Sequence, residues 1–203
     1  MLLKEKISNK RIVIDLKGII ELDDDKLFEL CMKNKDIRFE RMPEGELIVM
    51  LPVGSEGSAR ESIIILRIGI WNDKYKLGKV FSSSGGFTLP DGAMRSPDVA
   101  FINTERWKAL PLLKRKKFAP ICPDFVAELR SESDNLQDLK EKMNEWITNG
   151  CRLAWLIDPL EEKAYIYRAN SDINTIDSFN EKLFGEDVLP NFVLDLKEFR
   201  EEE

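Results

Sequence analysis

The sequence predicts an α/β protein in which a mixed central sheet is flanked by helices. Two strongly apolar segments, 121–130 and 151–157, are separated by a segment with the periodicity of an amphipathic helix. Strands joined by such a crossover run parallel to each other. Shorter strand-like segments elsewhere are separated by tight turns, and with 43% hydrophobic and 33% charged residues the chain can form both a core and a solvated surface.

The predicted elements alternate along the 203 residues. Helices are predicted over about 23–37, 59–75 and from Ser133 or Asp134 to 149, with Gly150 ending the last one. Strands are predicted over 38–42, 47–52, 79–82, 86–89, 96–102, 121–130, 151–157 and 164–168. We expect residues 1–44 to form an N-terminal helix and strand extension packed on a core domain of residues 45–203.

The absence of histidine excludes several classes of enzyme. A Ser-His-Asp triad, a Cys-His pair and an HExxH zinc site all require this residue. The chain also lacks the GxxxxGK[ST] and GxGxxG loops that cradle nucleotide phosphates. An enzyme of this composition must work with carboxylates and lysines, and we expect a hard metal ion, Mg²⁺ or Mn²⁺, beside them.

The net charge and the cysteine content limit which binding partners and which cellular location the sequence predicts. A net charge of −6 argues against a broad nucleic-acid-binding surface, so any contact with DNA must be local. The basic run 114–117 is either such a contact or a solvated loop. Three widely spaced cysteines, no membrane-spanning segment and no signal-peptide region at the N-terminus predict a cytoplasmic protein without membrane contact.

Two acids stand out because their neighbours in the sequence are apolar. Asp98 begins a predicted strand, and Glu128 lies near the end of the buried strand 121–130. A buried carboxylate needs a counter-ion, a metal ion or a proton. Two carboxylates on adjacent strands can hold Mg²⁺, with water and phosphate as its other ligands. The alternatives are that Asp98 is a strand-end residue and that Glu128 forms an ion pair with Arg130 or Lys142.

Two further residues are weaker candidates. Lys142 flanks the apolar stripe of the predicted helix and can reach toward Glu128, although pairing with Asp138 one turn earlier is the simpler interpretation. Glu61 completes the sequence Ser58-Ala-Arg-Glu61, which matches a capping box and predicts that it satisfies its own helix N-terminus. A metal-binding role for Glu61 is the alternative.

The segments GFTLPDGAMRSPDVAFI and CPDFVAELRSESDNLQDLKEKMNEWITNGCRLAWLIDP together resemble the Uma-two family of restriction endonucleases. The resemblance covers roughly residues 45–196 and implies the restriction-endonuclease-like fold of the PD-(D/E)XK nuclease superfamily. It implies that Asp98 and Glu128 are the metal-binding acids. The motif lysine normally stands two residues after the second acid, where this chain has Arg130, and the resemblance maps it to Lys142.

These observations lead to two hypotheses from different classes. The first is a Mg²⁺- or Mn²⁺-dependent DNA endonuclease, with Lys142 acting on the attacking water or the phosphate and Arg130 holding the phosphate. A homodimer is compatible with it, because cutting a duplex requires two cuts. The second is a catalytically idle or highly selective module that binds nucleic acid or protein on a nuclease-like core. The preserved acids favour the first hypothesis and the acidic net charge favours the second.

Overall fold

The computed structural model describes residues 11–50, 54–169 and 171–200 and shows a mixed α/β fold. The α-helices are α1 (Asp24–Lys33), α2 (Ser55–Tyr75), α3 (Thr104–Ala109), α4 (Leu112–Arg115) and α5 (Leu136–Thr148), and a 3₁₀ helix covers Leu196–Phe199. The strands are β1 (Arg11–Ile14), β2 (Arg38–Arg41), β3 (Leu47–Met50), β4 (Gly78–Ser82), β5 (Phe87–Thr88), β6 (Met94–Arg95), β7 (Val99–Asn103), β8 (Phe125–Leu129), β9 (Leu153–Asp158), β10 (Lys163–Arg168), β11 (Asn174–Ile176), β12 (Lys182–Phe184) and β13 (Val193–Asp195). No helix of these residues is long and apolar enough to cross a membrane.

The central sheet has six strands in the order β11-β10-β9-β8-β7-β4. Strands β8 and β9 are parallel, and the other neighbours are antiparallel. Helix α5 makes the crossover between the parallel pair, as the two apolar segments predict. The mixed sheet flanked by helices is therefore confirmed.

Helices α2 and α5 cover the two faces of this sheet. Alternate residues of β8 point to opposite faces, so Phe125 and Ala127 join the core cluster that contains Ile64 and Ile68 of α2. Val126 joins the cluster that contains residues of α5, namely Met143 and Trp146. This arrangement buries β8 on both sides and explains its continuous apolar sequence.

A second sheet has the strand order β1-β3-β2-β6-β5. All of its neighbouring strands are antiparallel. Its β2 strand pairs with β3 and, through Arg41 and Met94, with β6. Leu27 of α1 packs with Leu47 and Met94 in a small core of its own. These contacts join residues on both sides of the predicted boundary at 44/45, and the division into an extension and a core stays a prediction.

The starts of two helices differ from the sequence prediction. Helix α2 begins at Ser55 with Gly54 as its N-cap, and no side chain caps it. The predicted capping box is therefore wrong: Ser58 already donates its backbone N–H to the Gly54 carbonyl oxygen, so it lies inside the helix. Helix α5 begins one residue after Asn135, whose side chain accepts hydrogen bonds from two backbone N–H groups of the first turn. The predicted end of strand 47–52 lies outside the described residues.

Candidate active site

Asp98 and Glu128 lie side by side at one end of adjacent antiparallel strands. The register pairs Val99 with Ala127, and Asp98 immediately precedes Val99 just as Glu128 immediately follows Ala127. The two carboxylates line one cleft of about 260 Å³. The same cleft is lined by the other residues singled out from the sequence, which are Lys142, Arg130 and Glu61. The structure therefore brings together one residue of a strand, one residue from each of two helices and two residues of connecting segments beside β7 and β8.

Lys142 places its ammonium group between two buried carboxylates. Its Nζ lies 2.8 Å from Glu128 Oε1 and 3.1 Å from Glu40 Oε1. The same nitrogen is 3.5 Å from the carbonyl oxygen of Ser96. Of the two ion-pair partners considered for Glu128 from the sequence, Lys142 is the one the structure shows. The indole Nε1 of Trp146 also donates to Glu128 Oε1, over 3.2 Å.

Glu40 and Arg95 belong to this cluster, and sequence reasoning missed both. Glu40 is only 3% exposed, and its carboxylate accepts hydrogen bonds from Arg95 Nη1 at 3.1 Å and from the backbone N–H of Ser96 at 3.0 Å. Arg95 in turn contacts Glu145 of α5, with Nε 2.6 Å from Oε2. Strand β2 has the sequence Arg-Phe-Glu-Arg, with charges on both faces, so no apolar run marked Glu40 as buried. The position of Arg95 three residues before Asp98 was the available signal.

The pKa values show how unevenly the charges of the cluster are balanced. Burial raises the pKa of Asp98 to about 8, and the nearby carboxylates of Glu128 and Glu61 add to this effect. One hydrogen bond acts in the opposite direction, from the Leu129 backbone N–H to Asp98 Oδ2 at 2.7 Å. Burial also raises the pKa of Glu128, although Lys142 partly counteracts it.

Glu40 and Lys142 stay charged. Burial disfavours the ionised form of Glu40, but the charges of Lys142 and Arg95 outweigh it and hold its pKa at about 2. Burial likewise disfavours the ammonium of Lys142, but Glu128 and Glu40 hold its pKa well above the usual range. Lys142 is therefore a cation at neutral pH and a hydrogen-bond donor, not a base.

Arg130 lies in the cleft but already has a partner. Its Nη1 is 2.7 Å from Oδ2 of Asp158, an acid at the end of β9 that is completely buried. The Nε of Arg130 is buried and has no hydrogen-bond partner among the described residues. Asp158 fixes one side of the guanidinium and leaves other N–H groups for a ligand.

The donor set fits a hard cation with few protein ligands. No group of three or more His, Cys, Asp or Glu side chains in the described part of the chain is arranged to hold a metal ion. Mg²⁺, however, is commonly held by one or two carboxylates, with water and substrate phosphate as its other ligands. Asp98 and Glu128 are two adjacent carboxylates whose ionised forms are both destabilised, so a divalent cation would stabilise them. Glu61 lines the same cleft, and its charge contributes to the raised pKa of Asp98.

The mixed sheet flanked by helices is a restriction-endonuclease-like fold. The chain belongs to the Uma2 family, described as "Putative restriction endonuclease", whose model matches residues 24–197. No curated protein matches the chain. A similar solved structure is that of a "putative nuclease belonging to DUF820" from Anabaena variabilis, with a TM-score of 0.66 and 19% identity. The match covers 79% of this chain and 88% of that one, and at this identity it shows the fold alone.

Proposed function

We propose that the protein is a Mg²⁺- or Mn²⁺-dependent DNA endonuclease that hydrolyses phosphodiester bonds. The observation that carries this proposal is the pairing of Asp98 with Glu128 at the ends of adjacent strands, beside a protonated Lys142. Family membership and the fold support a nuclease of the restriction-endonuclease-like class. The metal ion, the DNA substrate and the roles of the residues are the parts we add.

Asp98 and Glu128 would hold the cation, with Glu61 as a further acid on the α2 side of the cleft. A bound divalent ion lowers the pKa of a water ligand and stabilises the charge that develops on the phosphate. Asp98 must lose its proton to act as a ligand, because its pKa of about 8 keeps it protonated at neutral pH in the metal-free protein.

Lys142 and Arg130 would act on the phosphate. Since Lys142 is held in its charged form, it can donate a hydrogen bond to a phosphate oxygen and stabilise the charge that forms during hydrolysis. Arg130 is braced by Asp158, so its remaining N–H groups are oriented before a substrate arrives. The two cations would thus share the task that the motif lysine performs in the superfamily.

The basic run 114–117 contributes less to DNA binding than its charge suggests. Arg115 donates to the carbonyl oxygens of Leu110 and Lys108, and Lys117 lies 2.8 Å from Asp25. Two of its four cations therefore have partners within the protein. The phosphate contacts that we propose are concentrated in the cleft.

A second candidate function is a binding module that does not cleave DNA. The ion pair between Lys142 and Glu128 favours it, because this contact neutralises one of the two acids without a metal ion. In that case the cluster would be a structural network, and the cleft would bind a nucleic acid or a protein segment. The two functions differ in whether a divalent cation displaces Lys142 from Glu128.

A cleavage assay tests the proposal. Supercoiled, linear duplex and single-stranded DNA are incubated with the protein and Mg²⁺, Mn²⁺ or EDTA, alongside the Glu128→Gln variant. We expect cleavage that requires the metal ion and is lost in Glu128→Gln. The matched control is Glu145→Gln, which changes another acid of the cluster that does not touch Asp98 or Glu128 in the described contacts. Absence of cleavage by the parent protein under all these conditions would favour the binding module.

A further inference from the structure

The ammonium group of Lys142 has two carboxylate partners that differ in their surroundings. Both contact distances are short, 2.8 Å to Glu128 and 3.1 Å to Glu40, and the lysine side chain is only 12% exposed. An ammonium group carries three N–H donors, so it can bind both carboxylates and the Ser96 carbonyl oxygen together. If Glu128 binds another partner, Glu40 and the Ser96 carbonyl oxygen are the contacts that remain for Lys142.

Glu40 is fixed by groups that do not belong to the Asp98–Glu128 pair. Arg95 and the Ser96 backbone N–H both donate to its carboxylate. Arg95 is fixed by Glu145, which follows Lys142 by three residues and therefore lies on the same side of α5. Glu40 thus has a second cation beside it, whereas Glu128 has a second acid, Asp98. Of the two carboxylates, Glu40 therefore contacts two cationic side chains and Glu128 contacts one.

We propose that Glu40 is a positioning residue that keeps Lys142 in the cleft when Glu128 ligates a divalent cation. The inference rests on the proposed metal site, and it adds Glu40 of β2 as a residue that acts on the site through Lys142. A carboxylate that ligates a metal ion binds an ammonium group less strongly, and an ammonium group without a partner is costly in a buried site. Glu40 removes that cost, because Lys142 already contacts it and needs no rotation to remain bound.

The consequence is a coupling between Glu40 and Lys142 in metal affinity, and a double-mutant cycle measures it. Mn²⁺ is titrated calorimetrically into the metal-free parent, Glu40→Gln, Lys142→Met and the double variant. We expect Glu40→Gln to weaken Mn²⁺ binding about 10-fold, the change that 1.4 kcal/mol produces. In the Lys142→Met background the same substitution should change the affinity by less than about threefold, because no ammonium group is left without a partner.

Two controls separate positioning from a general structural effect. Asp124→Asn changes a buried acid just before β8 whose partners lie outside this cluster, and it should leave Mn²⁺ affinity within about threefold of the parent. Glu40→Asp retains the charge and should restore most of the affinity lost in Glu40→Gln. Thermal melts identify which variants are folded, and if Glu40→Gln is unfolded the cycle is completed with Glu40→Asp, for which a smaller coupling of the same sign is expected.

Equal weakening by Glu40→Gln in both backgrounds would overturn the inference, because Glu40 would then act independently of Lys142. Absence of Mn²⁺ binding by the parent would overturn both the inference and the proposed function. If Mn²⁺ binds and the coupling is found but no DNA is cleaved, the role of Glu40 stands and the proposed endonuclease activity fails. The readout is metal affinity, so it does not depend on cleavage.

Discussion

The two ends of strand β8 each carry a buried acid, and the two acids are neutralised differently. Asp124, just before the strand, accepts a hydrogen bond from the Asn103 backbone N–H at 2.8 Å and pairs with Arg106 Nη1 at 2.7 Å. Glu128, near the other end, shares one lysine with Glu40. The acids are 2% and 4% exposed, so burial does not distinguish them.

The balance of charge distinguishes them. At the start of β8 one carboxylate has one guanidinium group and a backbone donor. At its end Glu128 shares one ammonium group with Glu40 and lies beside Asp98, which has no cation in contact among the described ion pairs. The pKa values of both Asp98 and Glu128 are raised. A buried acid with its own cation is typical of a structural ion pair, whereas acids that share too few cations are typical of a site that binds one.

Among the variants that test this comparison, Glu128→Gln should have the largest effect on activity. Metal-dependent cleavage should fall by about 100-fold or more, because a metal ligand is lost. The free energy of unfolding should stay the same or rise, since the substitution removes a buried charge next to Asp98. Cleavage rates, calorimetric titration and thermal melts measure the two effects. A marked loss of stability with unchanged metal binding would instead make Glu128 a structural ion-pair partner.

Asp124→Asn should have the opposite profile. It should lower the free energy of unfolding by about 2 kcal/mol, since a hydrogen bond to a charged group is lost. In a protein of this size that corresponds to a fall in Tm of about 6 °C. Metal affinity should not change. A folded Asp124→Asn variant that binds Mn²⁺ weakly would show that the two ends of β8 are not independent.

The pH dependence of the free energy of unfolding tests whether the acids at the end of β8 lack a cation, and Asp98 is the residue that reports it. Its pKa in the folded protein is about 8, against a usual value of 3.8, so between these pH values the folded state holds a proton that the unfolded state has released. Asp98 therefore lowers the free energy of unfolding progressively as the pH rises through this window. Asp98→Asn does not titrate, so its melting temperature relative to the parent should rise steadily with pH across this window.

In EDTA, the advantage of Asp98→Asn over the parent in melting temperature should be larger at pH 8.5 than at pH 5 by at least about 3 °C, because each pH unit inside the window is worth up to about 1.4 kcal/mol. Melting curves of both proteins across the pH range measure this difference. A constant difference between the two proteins at every pH would mean that Asp98 ionises normally in the folded protein.

The smallest effect is expected for Arg130→Lys. The lysine still supplies a cation to Asp158, so the melting temperature should change little. The planar fork of N–H donors is lost, and DNA affinity should fall about fivefold, the effect of roughly 1 kcal/mol for one hydrogen bond. Binding measured with Ca²⁺ in place of Mg²⁺ tests this. An unchanged DNA affinity would confine Arg130 to its ion pair with Asp158.

The centre of the main sheet could be predicted from the sequence because β8 and β9 are buried on both faces. The continuous apolar runs around Ala127 and Trp155 marked the parallel pair, and the helical segment between them marked the crossover. The start of α2 could not be predicted from Ser58, because Gly54 begins the helix without a side-chain cap. Local residue preferences decide the exact ends of helices only weakly.

The residues of the candidate site were predictable where an acid interrupts an apolar run, as Asp98 and Glu128 do. Lys142 was identified through the family resemblance and its place beside the apolar stripe of α5. Glu40 was not predictable, because its burial depends on the pairing of β2 with β3 and on the contact of its side chain with Arg95. Contacts between residues 55 positions apart leave no local pattern in one sequence.

The most direct test of the site is a calorimetric titration of the metal-free protein with Mn²⁺ at pH 7, in two buffers with different enthalpies of ionisation. We predict one ion per chain and release of about one proton per ion, because Asp98, with its pKa of about 8, must ionise to ligate the metal. Asp98→Asn and Glu128→Gln should each lose this binding. Saturable binding that persists unchanged in Asp98→Asn, or no binding by the parent, would contradict a metal site at the end of β8.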